Sequence, residues 1–177
     1  MNRNSKRGLI LAAASSVVKH NGIEKLTLEA VAAEAGVSKG GLLHHFPNKE
    51  ALIQSMVSGI TNDFVTDVQT RVDSDSQEKG KWSRAYLEST AEGNQEGLGM
   101  NVALNAALFS NKDLLEELRE HYAFWQRNIE NDGVDPVLSS IVRLAADGLW
   151  LSEVFGIGEI GEDMRGKVIS KLQDMLK

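Results

Sequence analysis

Residues 27–46 read TLEAVAAEAGVSKGGLLHHF, and this stretch decides the fold. Thr27 and Ser38 are good N-caps, so the sequence predicts two short helices with a tight turn between them. Gly36 supplies the positive φ angle of that turn, which other residues adopt only at a cost. Small and apolar residues fill the space where the helices cross, namely Ala32, Val37, Leu42 and Phe46. The pattern predicts a helix-turn-helix, in which the first helix braces the second.

The outward positions of the second of these helices form a candidate DNA-reading surface, because a helix-turn-helix presents that helix to the major groove. Lys39 lies near the helix start, where it could reach a base edge or a phosphate. Gly40 and Gly41 are poor helix formers, and they either soften the helix end or, as we prefer, permit close approach to DNA. Thr27 and Lys49 lie at helix N-termini, where backbone N–H groups attract phosphate. The candidate DNA-binding residues are Thr27, Ser38, Lys39, Gly40, Gly41, Leu43, His44, His45 and Lys49.

The charge distribution agrees with this interpretation, although the whole chain carries a net charge of −6. Residues 1–52 contain seven Lys and Arg against four Glu, a net charge of +3, together with three of the four histidines. Residues 53–177 carry the remaining −9. A charge asymmetry of this kind is typical of a nucleic-acid-binding end. We therefore expect a DNA-binding domain over residues 1–52 and a second domain over residues 53–177.

The rest of the chain shows almost no strand-like alternation. Apolar residues at helical spacing predict a first helix over residues 6–20, and Asn48 can cap a long helix that runs to about Val72. Further helices are predicted at roughly 81–93, 96–110, 112–131, 137–155 and 162–177. The expected fold class is all-α: a three-helix helix-turn-helix domain followed by a helical bundle, with about nine helices.

The sequence gives no support for catalysis, a cofactor or a metal site. It has no cysteine, no Gly-rich phosphate loop and no paired-carboxylate motif. His44 and His45 are adjacent, so they point in different directions along a helix, and Glu117 and His121 fit a solvated charged face. The N-terminal apolar run breaks at Lys19, so we expect a helix there instead of a signal peptide. No apolar run reaches about 18 residues, and we expect a cytoplasmic protein without a membrane partner.

Residues 7–53 resemble the DNA-binding domain of the tetracycline-repressor (TetR) family. The matching run is residues 22–52, GIEKLTLEAVAAEAGVSKGGLLHHFPNKEAL. Leu43 departs from the family pattern, which commonly has a tyrosine whose hydroxyl contacts a phosphate. Leucine cannot form that hydrogen bond, so the contact is either lost or replaced by apolar contact with a thymine methyl. The resemblance implies that the residues that contact DNA are Thr27, Lys39, Gly41, His44, His45 and Lys49.

The resemblance also implies that the C-terminal domain, residues 53–177, is a helical bundle that binds a small effector and dimerises. An aromatic residue at helical spacing is usually core, so the effector site is chosen from apolar residues that are interleaved with polar ones. The candidate effector-binding residues are Trp82, Tyr86, Met100, Asn101, Leu104, Asn105, Phe109, Trp125 and Trp150.

The last two predicted helices resemble the dimerisation elements of that family. Apolar residues occupy more than one face of the helix at 137–155, which indicates burial on several sides. An intramolecular core is the alternative explanation. The candidate interface residues are Leu138, Ile141, Val142, Ala145, Leu149, Phe155, Val168 and Leu172.

Together these features lead us to expect a homodimeric transcriptional regulator. The form we expect is a repressor that a small hydrophobic effector releases from a palindromic double-stranded DNA operator. Activation in place of repression stays open, because the direction of regulation depends on where the operator lies. Two alternatives are an architectural DNA-binding protein without a ligand and, with less support, an enzyme that uses the bundle.

Overall fold

The computed structural model describes the backbone of residues 3–93 and 98–177, and the side chains of those residues except 3–5, 98–101 and 103. Within these ranges the chain forms nine α-helices and one short 3-10 helix, without any strand, so the all-α prediction is confirmed. None of the described helices combines the length and the apolar character needed to cross a membrane. In chain order the elements are α1 (Arg3–Asn21), the 3-10 helix (Ile23–Lys25), α2 (Leu28–Glu34), α3 (Lys39–Leu43), α4 (Lys49–Ser74), α5 (Lys81–Glu92), α6 (Leu98–Ser110), α7 (Lys112–Ile129), α8 (Pro136–Phe155) and α9 (Glu162–Asp174).

The described residues fall into two compact units. The first holds the chain up to Ile60 together with Gly99–Leu115, and the second holds Thr61–Leu98 with Glu116–Lys177. The long helix α4 therefore contributes residues to both units. The domain boundary predicted after residue 52 stays a prediction.

The first unit is organised around α1, which packs against α2 and the 3-10 helix. Ile10, Ala14 and Val17 are buried on one face of α1, as their helical spacing predicts. The helix ends at Asn21 because Gly22 adopts φ +82°, a conformation that glycine reaches without steric cost.

Helix α3 ends at Leu43, whereas the sequence predicts a helix that continues to about Phe46. The carbonyl of Leu42 accepts hydrogen bonds from the N–H groups of both His45, at 2.8 Å, and Phe46, at 2.9 Å. Such sharing tightens the chain into a turn. Pro47 follows, and a proline disfavours helical geometry at the residue before it. The proline therefore accounts for the shorter helix.

The second unit is built around a cluster of aromatic side chains. Phe64 of α4 packs edge-on against Tyr86 of α5 and Trp125 of α7, with ring centroids 5.7 and 5.2 Å apart. Tyr122 packs edge-on against Trp125 at 5.5 Å. Buried aliphatic residues from the surrounding helices enclose this cluster, including Val68, Leu87, Ile129, Val142 and Leu172.

Candidate nucleic-acid interface

A tight turn fixes the crossing of α2 and α3. Gly36 in that turn adopts φ +63°, the left-handed conformation that the sequence predicts there. The N–H of Val37 donates to the carbonyl of Ala32 at 3.0 Å and closes the turn. Ala32 is almost fully buried, so its small side chain lets the two helices approach closely. The predicted helix-turn-helix is therefore present, with Leu42 buried beneath α3.

Two capping hydroxyls lie at the exposed starts of α2 and α3. Thr27 Oγ1 accepts a hydrogen bond from the N–H of Ala30 at 3.1 Å. Ser38 Oγ accepts one from the N–H of Gly41, also at 3.1 Å. A hydroxyl can accept and donate at the same time, so each cap can still donate its hydrogen to a phosphate. Lys49 is the first residue of α4, and it is half-buried.

The outer surface of α3 presents the residues that the sequence assigns to DNA. Lys39, Gly40 and Gly41 are exposed, and a Cβ placed on Gly40 would meet no atom within 4 Å. The space beside Gly40 is therefore open to an incoming molecule. Leu43 is 38% exposed, which leaves its side chain available for an apolar contact.

The two histidines close the end of this surface. His44 is exposed and His45 is half-buried. Their rings meet edge-on, with centroids 5.6 Å apart. This contact orients His44 relative to its neighbour and keeps both rings at the C-terminal end of α3.

The electrostatics of the surface involve an acidic residue that the sequence reasoning did not select. Lys39 Nζ lies 2.5 Å from Glu29 Oε1, in an ion pair that joins α3 to α2. The hydrogen bond and charge of Lys39 hold the pKa of the Glu29 carboxyl below its usual value. Arg7 of α1, in contrast, is tied to the fold: its guanidinium donates to Ser55 Oγ at 2.9 Å and lies over the Phe46 ring.

The candidate effector residues are divided between the two units. Leu104, Asn105 and Phe109 lie on α6, in the first unit, with Leu104 buried and Phe109 exposed. The side chains of Met100 and Asn101 lie outside the described residues. The remaining four lie in the second unit, which holds Trp82, Tyr86, Trp125 and Trp150.

Within the second unit the four aromatic candidates have different surroundings. Tyr86 and Trp125 are buried in the aromatic cluster. Trp82 is half-buried and packs edge-on against Phe124 at 5.4 Å. Trp150 lines a cavity of about 10 Å³, which has room for no more than about one water molecule. The described residues of this unit thus pack closely around the candidates.

A polar network beside the aromatic cluster was not predicted from the sequence. The Tyr86 hydroxyl donates to Asp147 Oδ1 at 2.6 Å, and the Tyr122 hydroxyl donates to the same oxygen at 3.3 Å. Arg143 Nη1 donates to Asp147 Oδ2 at 2.6 Å. Burial raises the pKa of Asp147, and the tyrosine hydrogen bonds and the arginine charge oppose that rise. The sequence signal is the pair Arg143 and Asp147, spaced i, i+4 on a largely apolar helix.

Helix α8 is apolar on two opposite faces. One face packs inside the chain and buries Val142, Ala146 and Val154. The opposite face carries exposed apolar side chains at helical spacing. This exposed stripe consists of Val137 (67% exposed), Ile141 (48%), Leu144 (59%) and Leu151 (42%).

The predicted interface residues fall on both faces of the last two helices. Val142 and Leu172 are buried within the single chain, so their side chains belong to its own core. Ile141 lies on the exposed stripe. The other predicted residues are half-buried, and they are Leu138, Ala145, Leu149, Phe155 and Val168. The sequence could not sort the faces because nearly every position of α8 is apolar or small.

Two parts of the chain match one protein family. Residues 10–56 match the family described as "Bacterial regulatory proteins, tetR family". Residues 80–177 match the family described as "Tetracyclin repressor-like, C-terminal domain", and this match alone covers more than half of the chain.

Individual proteins show the same likeness. Over 56 residues, the chain is 34% identical to the HTH-type transcriptional repressor KstR2 of Mycobacterium tuberculosis (strain ATCC 25618 / H37Rv). The aligned residues cover 32% of this chain and 28% of that protein. The chain thus spans about a quarter of the length of that curated relative.

Solved structures extend the likeness of fold over nearly the whole chain. A putative transcriptional regulator from Pseudomonas aeruginosa PAO1 has a TM-score of 0.71 and 18% identity, covering 98% of this chain and 91% of that one. The multidrug binding protein EbrR, complexed with imidazole, has a TM-score of 0.59 and 24% identity, covering 94% of each chain.

The two family matches include both the helix-turn-helix and most of the second unit. The members of this family are transcription regulators and not enzymes, which agrees with the expectation from the sequence of the chain. The chain belongs to the TetR family of bacterial transcriptional regulators.

Proposed function

We propose that this chain is a homodimeric repressor that binds a palindromic DNA operator and is released from it by a small hydrophobic effector. The observation that carries the proposal is the exposed outer surface of α3, which α2 braces through the turn at Gly36. An α-helix presented in this way fits the major groove of double-stranded DNA. A dimer bound over a promoter would block transcription.

In this proposal the two lysines of the surface supply most of the electrostatic attraction. Lys39 reaches a base edge or a phosphate, and Lys49, at the start of α4, reaches a phosphate. The exposed Leu43 meets a thymine methyl, because its side chain cannot hydrogen-bond. His44 and His45 add contacts to the backbone.

Dimerisation is proposed to use the exposed stripe of α8 together with α9. Large apolar side chains such as Val137 and Leu144 are unfavourable in water, and a second copy of α8 would cover them. Met164 of α9 is also exposed, so α8 and α9 from two chains can form a four-helix interface around a two-fold axis. Two recognition helices of such a dimer must lie about 34 Å apart to enter successive major grooves.

The effector is proposed to be a small hydrophobic compound that binds in the C-terminal part of the chain. Two observations support this: the aromatic cluster with the Asp147 carboxylate at its edge, and the similarity of fold to EbrR in complexes with imidazole and with ethidium. Because the described residues pack closely there, the effector must favour a rearranged conformation and shift the population toward it. Aromatic compounds that bind should raise the melting temperature, and a broad screen without such a shift would contradict the effector part of the proposal.

The test of DNA binding begins with selection of an operator from a random double-stranded library by the wild-type protein. Affinity for that operator is then measured at fixed salt for Lys39→Ala/Lys49→Ala. We expect a loss of roughly tenfold or more, because two phosphate or base contacts disappear. The matched control is Arg119→Ala/Arg127→Ala on α7, which removes the same charge from exposed positions outside the helices proposed to bind DNA or to dimerise. Equal affinities for the wild-type protein and the Lys39/Lys49 variant would overturn the proposal.

A further inference from the structure

Glu29 places a negative charge on the surface that is proposed to meet DNA. The Glu29 and Lys39 side chains are 64% and 57% exposed, and Glu29 Oε1 lies 2.5 Å from Lys39 Nζ. The two residues are ten positions apart in the sequence, and the turn between α2 and α3 brings them together. Glu34, on the same helix, accepts a hydrogen bond from Ser16 of α1 at 2.7 Å. Of these two α2 carboxylates, Glu29 is the one paired with the recognition helix.

The ion pair is not what holds the two helices together. An exposed pair of this kind contributes little to stability, because water screens both charges. The crossing is maintained by buried groups instead, namely Ala32, Val31 and Leu42, and by the turn at Gly36. Because the helix crossing does not depend on the ion pair between Glu29 and Lys39, this pair can serve another purpose.

We infer that Glu29 limits the DNA affinity of this protein by competing with DNA for Lys39. The inference rests on the proposed function, since it needs a surface that binds DNA. For Lys39 to contact a phosphate or a guanine, its ammonium must leave Glu29 or be shared with it, and the carboxylate then faces the DNA backbone. While Lys39 is paired with Glu29, the pKa of the carboxyl is held below its usual value, so the carboxylate is charged when the surface meets DNA. Glu29 thus lowers the affinity of this surface for DNA.

The direct test is Glu29→Gln, which keeps the shape of the side chain and removes its charge. We expect operator affinity to rise about two- to fivefold for each chain, which corresponds to one exposed ion pair, and by about the square of that factor for a dimer that carries two such pairs. We also expect the plot of log affinity against log salt to steepen by about one per chain, because Lys39 then neutralises a phosphate completely. Unchanged affinity and slope would overturn the inference.

Two further variants separate competition from general repulsion. Glu34→Gln removes the same charge from the same helix but away from Lys39, and it should leave affinity unchanged. In a Lys39→Ala background, Glu29→Gln should give a smaller gain, because no lysine remains to be released and only the repulsion between the carboxylate and the DNA backbone is removed. An equal gain from Glu34→Gln, or a full gain without Lys39, would show that Glu29 only repels DNA and would overturn the inference.

The outcome for the wild-type protein keeps the two proposals apart. If the wild-type protein binds its selected operator but Glu29→Gln binds no better, only the competition is excluded. If the wild-type protein selects no DNA, the proposed function falls and the competition falls with it. The melting temperature of Glu29→Gln should match that of the wild-type protein, because the pair is exposed.

Discussion

Gly40 and Gly41 are adjacent in α3 but have different surroundings. A Cβ on Gly40 would meet open space, whereas a Cβ on Gly41 would lie 3.1 Å from Ser38 Oγ, the oxygen that caps the helix. Nothing inside the protein therefore requires glycine at position 40. Since glycine destabilises a helix by about 1 kcal/mol relative to alanine, a role outside the folded chain is its simplest explanation.

Substitution of Gly40 by alanine should therefore separate stability from DNA binding. We expect Gly40→Ala to raise the free energy of unfolding by up to about 1 kcal/mol, because alanine is a better helix former and meets no neighbour. Operator affinity should fall, because a methyl group stands where the backbone approaches DNA. Urea unfolding and fluorescence anisotropy measure the two effects. A more stable variant with unchanged operator affinity would show that Gly40 only softens the helix.

The charge of the Asp147 carboxyl should make the free energy of unfolding depend on pH. Burial raises the pKa of Asp147 in the folded protein above its unfolded value, so its ionisation lowers stability as the pH rises through that pKa. The Tyr86 hydroxyl opposes this effect by donating to the ionised carboxylate at 2.6 Å. Tyr86→Phe should therefore cost about 1.5–3 kcal/mol where Asp147 is charged, and less as the pH falls through its pKa.

The control for that prediction is Tyr122→Phe, which removes a longer hydrogen bond of 3.3 Å to the same oxygen. Its cost should be smaller at neutral pH and should change in the same direction with pH. Urea unfolding of both variants at neutral and acidic pH gives the comparison. A loss in Tyr86→Phe that is the same at both pH values would mean that packing, not the charged hydrogen bond, explains it.

Helix α5 is capped by a residue from a distant loop. Gly80 precedes α5 and has no side chain to cap it. Asp132, in the loop between α7 and α8, supplies the cap: its Oδ2 accepts from the Ser83 N–H at 2.9 Å and from Ser83 Oγ at 2.8 Å. The Asp132 carbonyl also accepts from the Gly80 N–H at 2.7 Å. This buried connection joins α5 to the α7–α8 loop.

Loss of this cap should destabilise the second unit. We expect Asp132→Ala to lower the free energy of unfolding by about 1–3 kcal/mol, because it leaves the Ser83 N–H and hydroxyl buried without a partner. Asp132→Asn keeps an oxygen that can accept and should lose less. Asp113→Ala, at an exposed position in the first turn of α7, is the matched control and should change little. If all three variants unfold at the same urea concentration, Asp132 is not the cap that holds α5.

The elements also show which features a sequence can predict. Thr27, Ser38 and Gly36 act locally, within three or four residues, so the sequence predicts the start of α2, the start of α3 and the turn between them. The link between Asp132 and Ser83 spans 49 residues, and no local pattern indicates it. The ion pair between Glu29 and Lys39 depends on the helix crossing and was missed for the same reason.

Helix α8 has one apolar face in the core of the chain and another on its exterior. Its inner face completes the core of the second unit through Val142 and Ala146. Its outer face exposes four large apolar side chains, and such a row on a single chain favours association. Because both faces are apolar, the sequence alone predicts burial on several sides but does not assign Ile141 or Val142 to either one.

Charge placed on the outer stripe should therefore dissociate the proposed dimer without unfolding the chain. In Ile141→Asp/Leu144→Asp, two exposed apolar side chains become carboxylates that a two-fold axis would bring near their own copies. We expect sedimentation to show a monomer, circular dichroism to show unchanged helix content, and operator affinity to fall because one monomer reads only one half-site. Phe124→Asp, which changes an exposed apolar residue of α7, is the control and should stay dimeric. A double variant that sediments as the wild-type protein does would exclude this face as the interface and would direct the search to the exposed residues of α9.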